Sequence, residues 1–318
     1  NGMTAQGECS VIPGLSPDFI DVPQYEKVLS QLQVRIRAHW RMDEWLQKSI
    51  FQSEKWRHFT LEYRSYPSIL FGLETLVLDI QAGGSGILFD TAFTRKETTI
   101  PINGLIWMGD ESFMLRQMEE KLADGFTTIK MKVGAIEWEK ELALLTMLRR
   151  RFSSKDLTLR VDANGAFLAD SAKPILAQLA ELEVHSIEQP IAARQTQAMR
   201  KLCAESPVGI ALDEELIGVD QEQDKSELLE TIAPPFIVLK PSLHGGIQGC
   251  REWIRLAEER QISWWMTSAL ESSIGLNAIA QFTSLFENQL PQGLGTGGLY
   301  TNNFESLLVV EKGQLMMK

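Results

Sequence analysis

From Thr98 onward, short apolar runs alternate with longer segments whose apolar residues recur at helical spacing. The apolar runs predict eight strands, at residues 100–108, 127–133, 158–161, 184–187, 209–212, 236–239, 263–268 and 293–298. The segments between them predict helices at residues 112–124, 137–151, 173–182, 195–206, 248–260 and 273–285. This alternation is typical of a parallel sheet with helical crossovers, and eight strands favour closure into a barrel. An open doubly wound sheet is the alternative, but no GxGxxG or GxxxxGK motif follows an early strand.

The chain before Thr98 has a different pattern. Residues 6–17 predict a short strand followed by a loop with Gly and Pro, and residues 24–52 predict two successive helices. Residues 67–80 predict a buried helix that ends at Gly83 and Gly84. We therefore expect a capping domain of residues 1–96, to which residues 300–318 return, and a catalytic barrel of residues 97–299.

Composition and charge narrow the class of protein. Of 318 residues, 44% are hydrophobic and 23% are charged, which is typical of a globular enzyme or binding protein. A net charge of -11 disfavours nucleic acid and anionic membranes as partners, but a cation in a cleft could still hold an anionic substrate. Three scattered cysteines without metal-binding spacing favour a reducing, cytoplasmic location, and no apolar run reaches the length of a membrane helix. We expect no membrane partner, and the oligomeric state is left open.

Two lysines alternate along one predicted strand. Lys130 and Lys132 are two residues apart, so their side chains share a face and lie roughly 6.6 Å apart. Like charges at this distance disfavour each other's protonation, which favours a neutral amine that can act as a base. The alternative interpretation is a pair of solvated lysines on an exposed strand.

Acids end the three strands that follow. Asp162, Glu188 and Asp213 are separated by 26 and 25 residues, about one βα unit each. In a barrel they converge at the C-terminal face, where three carboxylates repel each other unless a cation such as Mg²⁺ holds them. Any one of these acids alone could instead cap a helix.

Lys240 follows Asp213 by 27 residues and ends the next predicted strand. An amine directly after an apolar strand is costly unless it faces a polar cleft. Lys132 and Lys240 would then lie on opposite sides of the metal. This arrangement is suited to removing a proton from the carbon next to a metal-bound carboxylate.

These residues together resemble a known family. Lys-x-Lys, then Asp, Glu and Asp on successive strands, then Lys, is similar to the muconate-lactonising subgroup of the enolase superfamily, whose Lys or His bases work with Mg²⁺. Within the subgroup, residues 7–16, 238–246, 267–276 and 292–298 resemble the o-succinylbenzoate synthases. The resemblance implies a modified TIM-type (β/α)7β barrel with a smaller α+β capping domain. It also implies a dehydratase of menaquinone biosynthesis, a lyase acting on a small carboxylate.

The resemblance further implies a role for each site residue. Asp162, Glu188 and Asp213 would bind Mg²⁺, for which Mn²⁺ can substitute. The catalytic residues would be Lys132, as the base, and Lys240, as a cation over the dienolate. The residues expected to position or enclose the substrate are Lys130, Asn164, Ser268, Glu271, Ser273 and Gly275. For the last four of these, an ordinary helix cap and turn is the alternative.

One feature departs from the family pattern. The family begins with an antiparallel meander, whereas this sequence starts close to what would be the last strand of the meander, so we expect that meander to be incomplete. Two other functions stay open. The same residues could serve an N-acylamino acid racemase or a dipeptide epimerase, although residues 293–300 lack the acidic pair expected to hold a dipeptide's amine. A barrel that only binds a ligand is the third hypothesis.

Overall fold

The structure, a computed structural model, describes residues 2–318. After an irregular segment the chain forms four helices, α1 (Val22–His39), α2 (Met42–Trp45), α3 (Glu54–Leu61) and α4 (Pro67–Gln81). The Asp21 side chain caps α1 by accepting the N–H of Gln24 at 2.8 Å. Side chains from these helices form their own hydrophobic cluster, in which three tryptophans pack together, Trp40, Trp45 and Trp56.

The strand predicted within residues 6–17 is wrong, because the described residues before Val22 form no strand. This segment packs on α4 instead. The N–H of Gln6 donates to Asp79 of α4 at 2.8 Å, and Gly7 lies so close to Gly72 that a side chain at position 7 would collide with the backbone of α4. The backbone of the segment therefore bonds to a helix rather than to a neighbouring strand.

The remaining chain alternates strands and helices. The strands are β1 (Ile100–Pro101), β2 (Gly104–Ile106), β3 (Thr128–Lys132), β4 (Thr158–Asp162), β5 (Ser186–Glu188), β6 (Gly209–Leu212), β7 (Phe236–Leu239), β8 (Ser263–Met266), β9 (Leu308–Glu311) and β10 (Gln314–Met317). The helices are α5 (Glu111–Ala123), α6 (Trp138–Arg151), α7 (Ala169–Glu181), α8 (Thr196–Glu205), α9 (Glu222–Ile232), α10 (Gly246–Glu258) and α11 (Ser273–Thr283). The predicted helices α5 to α8, α10 and α11 are present, whereas α3 and α9 were not predicted.

Strands β2 to β8 form one parallel sheet in chain order, and this sheet curls into the barrel. Along β3 the apolar residues Ile129 and Met131 belong to the main hydrophobic cluster, which also contains Leu145 of α6. The alternate positions, Lys130 and Lys132, carry the polar side chains. One face of the strand therefore packs against helices, while the other places the two lysine side chains in the interior of the barrel.

The eighth position of the barrel is not a regular strand. The prediction of a strand at residues 293–298 is wrong in extent: Gln292 bridges Ile102, Gly293 bridges Thr267, and residues 296–298 form a 3₁₀ turn. The chain at these two residues thus lies between the first and last strands of the sheet and closes it. The run at residues 100–108 is also divided, because β1 leaves the barrel and pairs with β10 in a separate antiparallel sheet with β9.

The parallel register brings the predicted site residues level with each other. Lys132 is opposite Asp162, and Asp162 is opposite Glu188. Asp213 and Lys240 directly follow β6 and β7. Five neighbouring strands therefore present the predicted metal and lysine residues at one end of the barrel. Within residues 2–318 no helix is both long and apolar enough to cross a membrane.

Candidate active site

Both lysines of β3 point into the barrel and meet the same carboxylate. The ammonium groups of Lys130 and Lys132 lie 2.8 and 2.7 Å from Oδ2 of Asp162. Lys130 also donates to Oε2 of Glu188 at 2.7 Å. The expected repulsion between the two amines is therefore offset by a pair of buried acids, a contact that their spacing on the strand did not predict.

Lys240 lies against the third acid. Its ammonium group donates to Oδ2 of Asp213, and both side chains are buried. Burial opposes charge on the Lys240 amine, but Asp213 and then Glu188 outweigh it and raise the pKa of Lys240. The acids and lysines thus form two adjoining ion-paired groups.

The three acids differ in their electrostatic surroundings. Burial would raise the pKa of Asp162, but Lys130 and Lys132 outweigh burial and hold that pKa below its usual value. Burial, with Asp162 as a like charge, raises the pKa of Glu188 to about 8. Burial also raises the pKa of Asp213. The three carboxylates therefore differ in how readily they ionise, and Asp162 ionises most readily.

Asn164 forms hydrogen bonds both with Lys132, the predicted base, and with Glu214. Its side-chain oxygen accepts from Lys132 at 2.7 Å, and its amide nitrogen donates to Glu214 at 2.8 Å. Its backbone N–H donates to Oδ1 of Asp162 at 3.1 Å. Asn164 has φ of 44°, in the left-handed region that Asn tolerates better than most residues. Its side chain therefore fixes the position of the Lys132 amine.

Gln189 is a site residue that the sequence did not single out. Its side-chain oxygen accepts the backbone N–H groups of Asp213 and Glu215, both at 3.2 Å, and its amide nitrogen donates to Glu215 at 3.3 Å. Gln189 therefore holds the loop that carries Asp213. The available signal was a polar residue directly after Glu188, at a position that an apolar core does not require.

The other four predicted pocket residues form a second group around β8 and α11. Glu271 is buried, accepts from Ser242 at 2.6 Å and from the N–H of Ala269 at 2.7 Å, and burial raises its pKa to about 7. Ser268 pairs with Thr296 at 2.6 Å. In the part of the chain that the structure describes, no hydrogen bond joins this group directly to the lysines and acids of β3 to β7.

Ser273 and Gly275 lie in the first turn of α11. Their N–H groups donate to Asn303 and Glu8, respectively, each at 2.8 Å. An added Cβ at Gly275 would lie 2.7 Å from the Cβ of Glu271, so this glycine allows Glu271 to pack closely against the helix. Glu8, which was not predicted, thus ties the N-terminal segment to the rim of the barrel.

The N-terminal segment also covers the barrel end. Ile12 and Leu15 pack against a small cluster of Ile217, Leu243 and Ala269, which lie in the loops after β6, β7 and β8. Ser16 accepts the N–H of Ile12 at 2.8 Å and so closes a turn in this segment. The segment therefore packs on the loops that follow Asp213 and Lys240.

The donor set fits a hard divalent cation. Asp162, Glu188 and Asp213 are buried carboxylates, and Glu188 Oε1 and Asp213 Oδ1 have no hydrogen-bond partner in the structure. Within residues 2–318, however, no three Asp, Glu, His or Cys side chains are arranged so that they could hold a metal ion as they stand. The ammonium groups of the lysines lie against the other oxygens, Oδ2 of Asp162, Oε2 of Glu188 and Oδ2 of Asp213, so a cation would have to displace them from part of the carboxylate surface.

Comparisons with known proteins agree with this geometry. Residues 114–318 match the family described as enolase C-terminal domain-like. The o-succinylbenzoate synthase of Desulfotalea psychrophila is 46% identical over an alignment covering 99% of this chain and 89% of the relative. An L-Ala-D/L-Glu epimerase of Francisella tularensis is 28% identical, but its alignment covers only 64% of this chain and 56% of the epimerase.

A solved structure is similar to this chain over its whole length. The crystal structure of MenC from Desulfotalea psychrophila superposes with a TM-score of 0.90 at 44% identity, covering 100% of this chain and 92% of that protein. The predicted barrel fold with a capping domain is thereby confirmed. The chain belongs to the enolase superfamily and, within it, to the o-succinylbenzoate synthase family.

Proposed function

We propose that this protein catalyses the Mg²⁺-dependent loss of water from 2-succinyl-6-hydroxy-2,4-cyclohexadiene-1-carboxylate to give o-succinylbenzoate, a step of menaquinone biosynthesis. Full-length similarity to a named synthase supports the proposal. The observation that carries it is that Lys130, Lys132, Asp162, Glu188 and Asp213 share one buried end of the barrel. Its three free cysteines suit a reducing cytoplasm.

We propose that Lys132 is the general base. Its side chain is 15% exposed, against 8% for Lys130 and 9% for Lys240, so it is the lysine with most access to a substrate. In its neutral form the Lys132 amine takes the proton from the carbon next to the substrate carboxylate. It then returns that proton to the leaving hydroxyl group, which departs as water. Asn164 keeps the amine aimed while the proton is moved.

The acids and the other lysines would supply charge. Asp162, Glu188 and Asp213 would hold Mg²⁺, which would place a fixed positive charge beside the substrate carboxylate. Lys240 would stabilise, as a cation, the negative charge that develops on the ring. Lys130 would support the substrate carboxylate, and Ser268, Glu271, Ser273 and Gly275 would shape the pocket. The barrel would be residues 97–299, with residues 1–96 and 300–318 as the capping domain.

The racemase and epimerase hypotheses have weaker support. Residues 293–300 lack the acidic pair expected to hold the amine of a dipeptide. The epimerase similarity covers a smaller part of the chain. An assay of the dehydration with Mg²⁺, and after removal of divalent ions by a chelator, tests the proposal directly. Metal-dependent formation of o-succinylbenzoate supports it, and racemisation of N-acylamino acids without dehydration overturns it.

A further inference from the structure

Glu214 lies next to the predicted metal ligand Asp213 but has no part in the roles proposed above. It begins the 3₁₀ turn Glu214–Leu216 in the loop after β6. Among the contacts of residues 2–318, its side chain forms one hydrogen bond and no ion pair: Oε1 accepts from Nδ2 of Asn164 at 2.8 Å. Its other oxygen, Oε2, is buried and has no partner in the structure. A carboxylate shielded from water without a paired cation is costly, so the contact with Asn164 is the feature that can account for Glu214.

Other groups hold the loop that carries Asp213. The side-chain oxygen of Gln189 accepts the backbone N–H groups of Asp213 and Glu215, both at 3.2 Å. Glu215 is buried and accepts from the amide nitrogen of Gln189 at 3.3 Å, which closes a second bond between the same two loops. None of these bonds involves the side chain of Glu214. Its contact with Asn164 is therefore separate from the contacts that fix the loop.

The contact with Glu214 fixes the direction in which the Asn164 amide faces. The ammonium group of Lys132 carries only donors, and the carboxylate of Glu214 carries only acceptors. The amide lies between them, with Oδ1 toward Lys132 at 2.7 Å and Nδ2 toward Glu214 at 2.8 Å. If the amide turned over, a donor would face Lys132 and an acceptor would face Glu214, so both contacts would become repulsive. Glu214, after β6, thus orients a side chain that follows β4.

The orientation of Asn164 decides what remains free on the Lys132 amine. The amine donates to Oδ2 of Asp162 and to Oδ1 of Asn164, each at 2.7 Å. When the amine is neutral and both bonds are kept, its lone pair takes the remaining tetrahedral position. An Asn164 amide that had turned over would offer Nδ2–H to the lone pair and would compete with the substrate for it. A fixed amide therefore leaves the lone pair available.

We propose that Glu214 is a positioning residue for the base: it accepts from Nδ2 of Asn164, keeps Oδ1 toward Lys132, and so leaves the lone pair of Lys132 free for the substrate proton. This inference rests on the proposed role of Lys132 as the base. Because Glu214 acts through Asn164, the position needs an acceptor rather than a negative charge. Glu214→Gln keeps an acceptor for the same hydrogen bond, whereas Glu214→Leu removes it and leaves a side chain of similar size.

The first test is a double-mutant cycle on the dehydration, measured with saturating Mg²⁺. Glu214→Leu should lower kcat by about tenfold or more and change KM by less than about twofold, whereas Glu214→Gln should stay within about threefold of the wild type. In the Asn164→Ala background, Glu214→Leu should change kcat by less than about twofold, because the residue through which Glu214 acts is gone. Glu227→Ala, an exposed acid of α9, is the matched control and should behave as the wild type does. Circular dichroism checks that each variant is folded.

A loss of kcat that is as large in the Asn164→Ala background as in the wild type overturns the proposal, and so does a Glu214→Gln variant as slow as Glu214→Leu. The second test does not need the reaction. In substrate-free protein labelled with ¹⁵N-asparagine, the side-chain amide resonances of Asn164, identified by their loss in Asn164→Ala, should move in Glu214→Leu and stay in place in Glu227→Ala. Unmoved resonances in Glu214→Leu also overturn the proposal. Wild-type protein without dehydration activity contradicts the proposed reaction, whereas active protein whose kcat is unaffected by Glu214→Leu contradicts the positioning role alone.

Discussion

The ammonium groups of Lys130 and Lys132 lie 2.8 and 2.7 Å from one atom, Oδ2 of Asp162. Asp162 is completely buried, and Lys130 also contacts Glu188 at 2.7 Å. Both amines therefore pair with Asp162, and Lys130 also pairs with Glu188. Replacing any one of these side chains therefore changes the charge balance of the whole group.

Lys130→Ala should destabilise the protein when no divalent cation is present. The substitution leaves Asp162 with Lys132 as its one remaining ion-pair partner and leaves the buried Glu188 without one, and breaking a buried pair costs about 3 kcal/mol or more. Adding Mg²⁺ should restore much of the free energy of unfolding, because the cation replaces the lost charge. Denaturant unfolding with and without Mg²⁺ measures both effects. Lys140→Ala, whose pair with Glu137 is exposed, should have little effect and serves as the control.

Glu188→Gln should weaken Mg²⁺ binding by more than about 100-fold, because losing even an outer-sphere partner of a metal ligand can cost that much. The substitution replaces a carboxylate, whose Oε1 has no hydrogen-bond partner, with a neutral amide of the same shape. Isothermal titration with Mg²⁺ gives the affinity. Glu205→Gln, on the exposed end of α8, is the matched control. Equal Mg²⁺ affinity in the two variants would rule out Glu188 as a ligand.

Asn164→Ala should lower kcat by about 10- to 100-fold, because the Lys132 amine loses the acceptor that orients it. Asn164→Asp keeps an acceptor oxygen at the same place and should retain more activity than the alanine variant. The pH dependence of kcat should also differ between the two variants, because only Asn164→Asp places a carboxylate beside the Lys132 amine. A purely structural role for Asn164 would not affect the titration of the base. Identical pH profiles in both variants and the wild type would contradict this prediction.

Glu74 should make stability depend on pH. Glu74 lies in α4, where it is buried and accepts the first N–H groups of α10, and burial raises its pKa to about 8 from an ordinary value of 4.5. The folded state therefore binds more protons than the unfolded state in this window, so its contribution to the free energy of unfolding falls as pH rises from about 4.5 to 8. Glu74→Gln should flatten that dependence. Unfolding curves at pH 5 and pH 8 for both proteins, roughly at the ends of the window, test the sign.

Much of the barrel could be predicted because its strands are short apolar runs that end in charged residues. The positions of Asp162, Glu188, Asp213 and Lys240 follow from one βα unit per acid, and a parallel register makes such positions level. The helix α9 was missed because most of its residues are polar, with Leu229 and Ile232 among its few buried apolar side chains. The Gly-rich sequence at residues 293–298 was predicted to be a strand, but it contains only one bridging residue, Gly293, and a turn.

The contacts within the site were less predictable than its position. Sequence spacing shows that Lys130 and Lys132 share a face, but not that both reach Asp162, because that contact depends on side-chain conformations across two strands. Glu8 and Gln189 act through backbone N–H groups that lie far away in sequence or on another strand. Such contacts leave no periodic pattern, so only the folded chain reveals them.

The most direct test of the account is the rate of dehydration by Lys132→Ala, measured with saturating Mg²⁺ and substrate. If Lys132 is the base that moves the proton, turnover should fall by about 10²- to 10⁴-fold while the protein stays folded and continues to bind Mg²⁺. Turnover equal to that of the wild type would show that another group removes the proton.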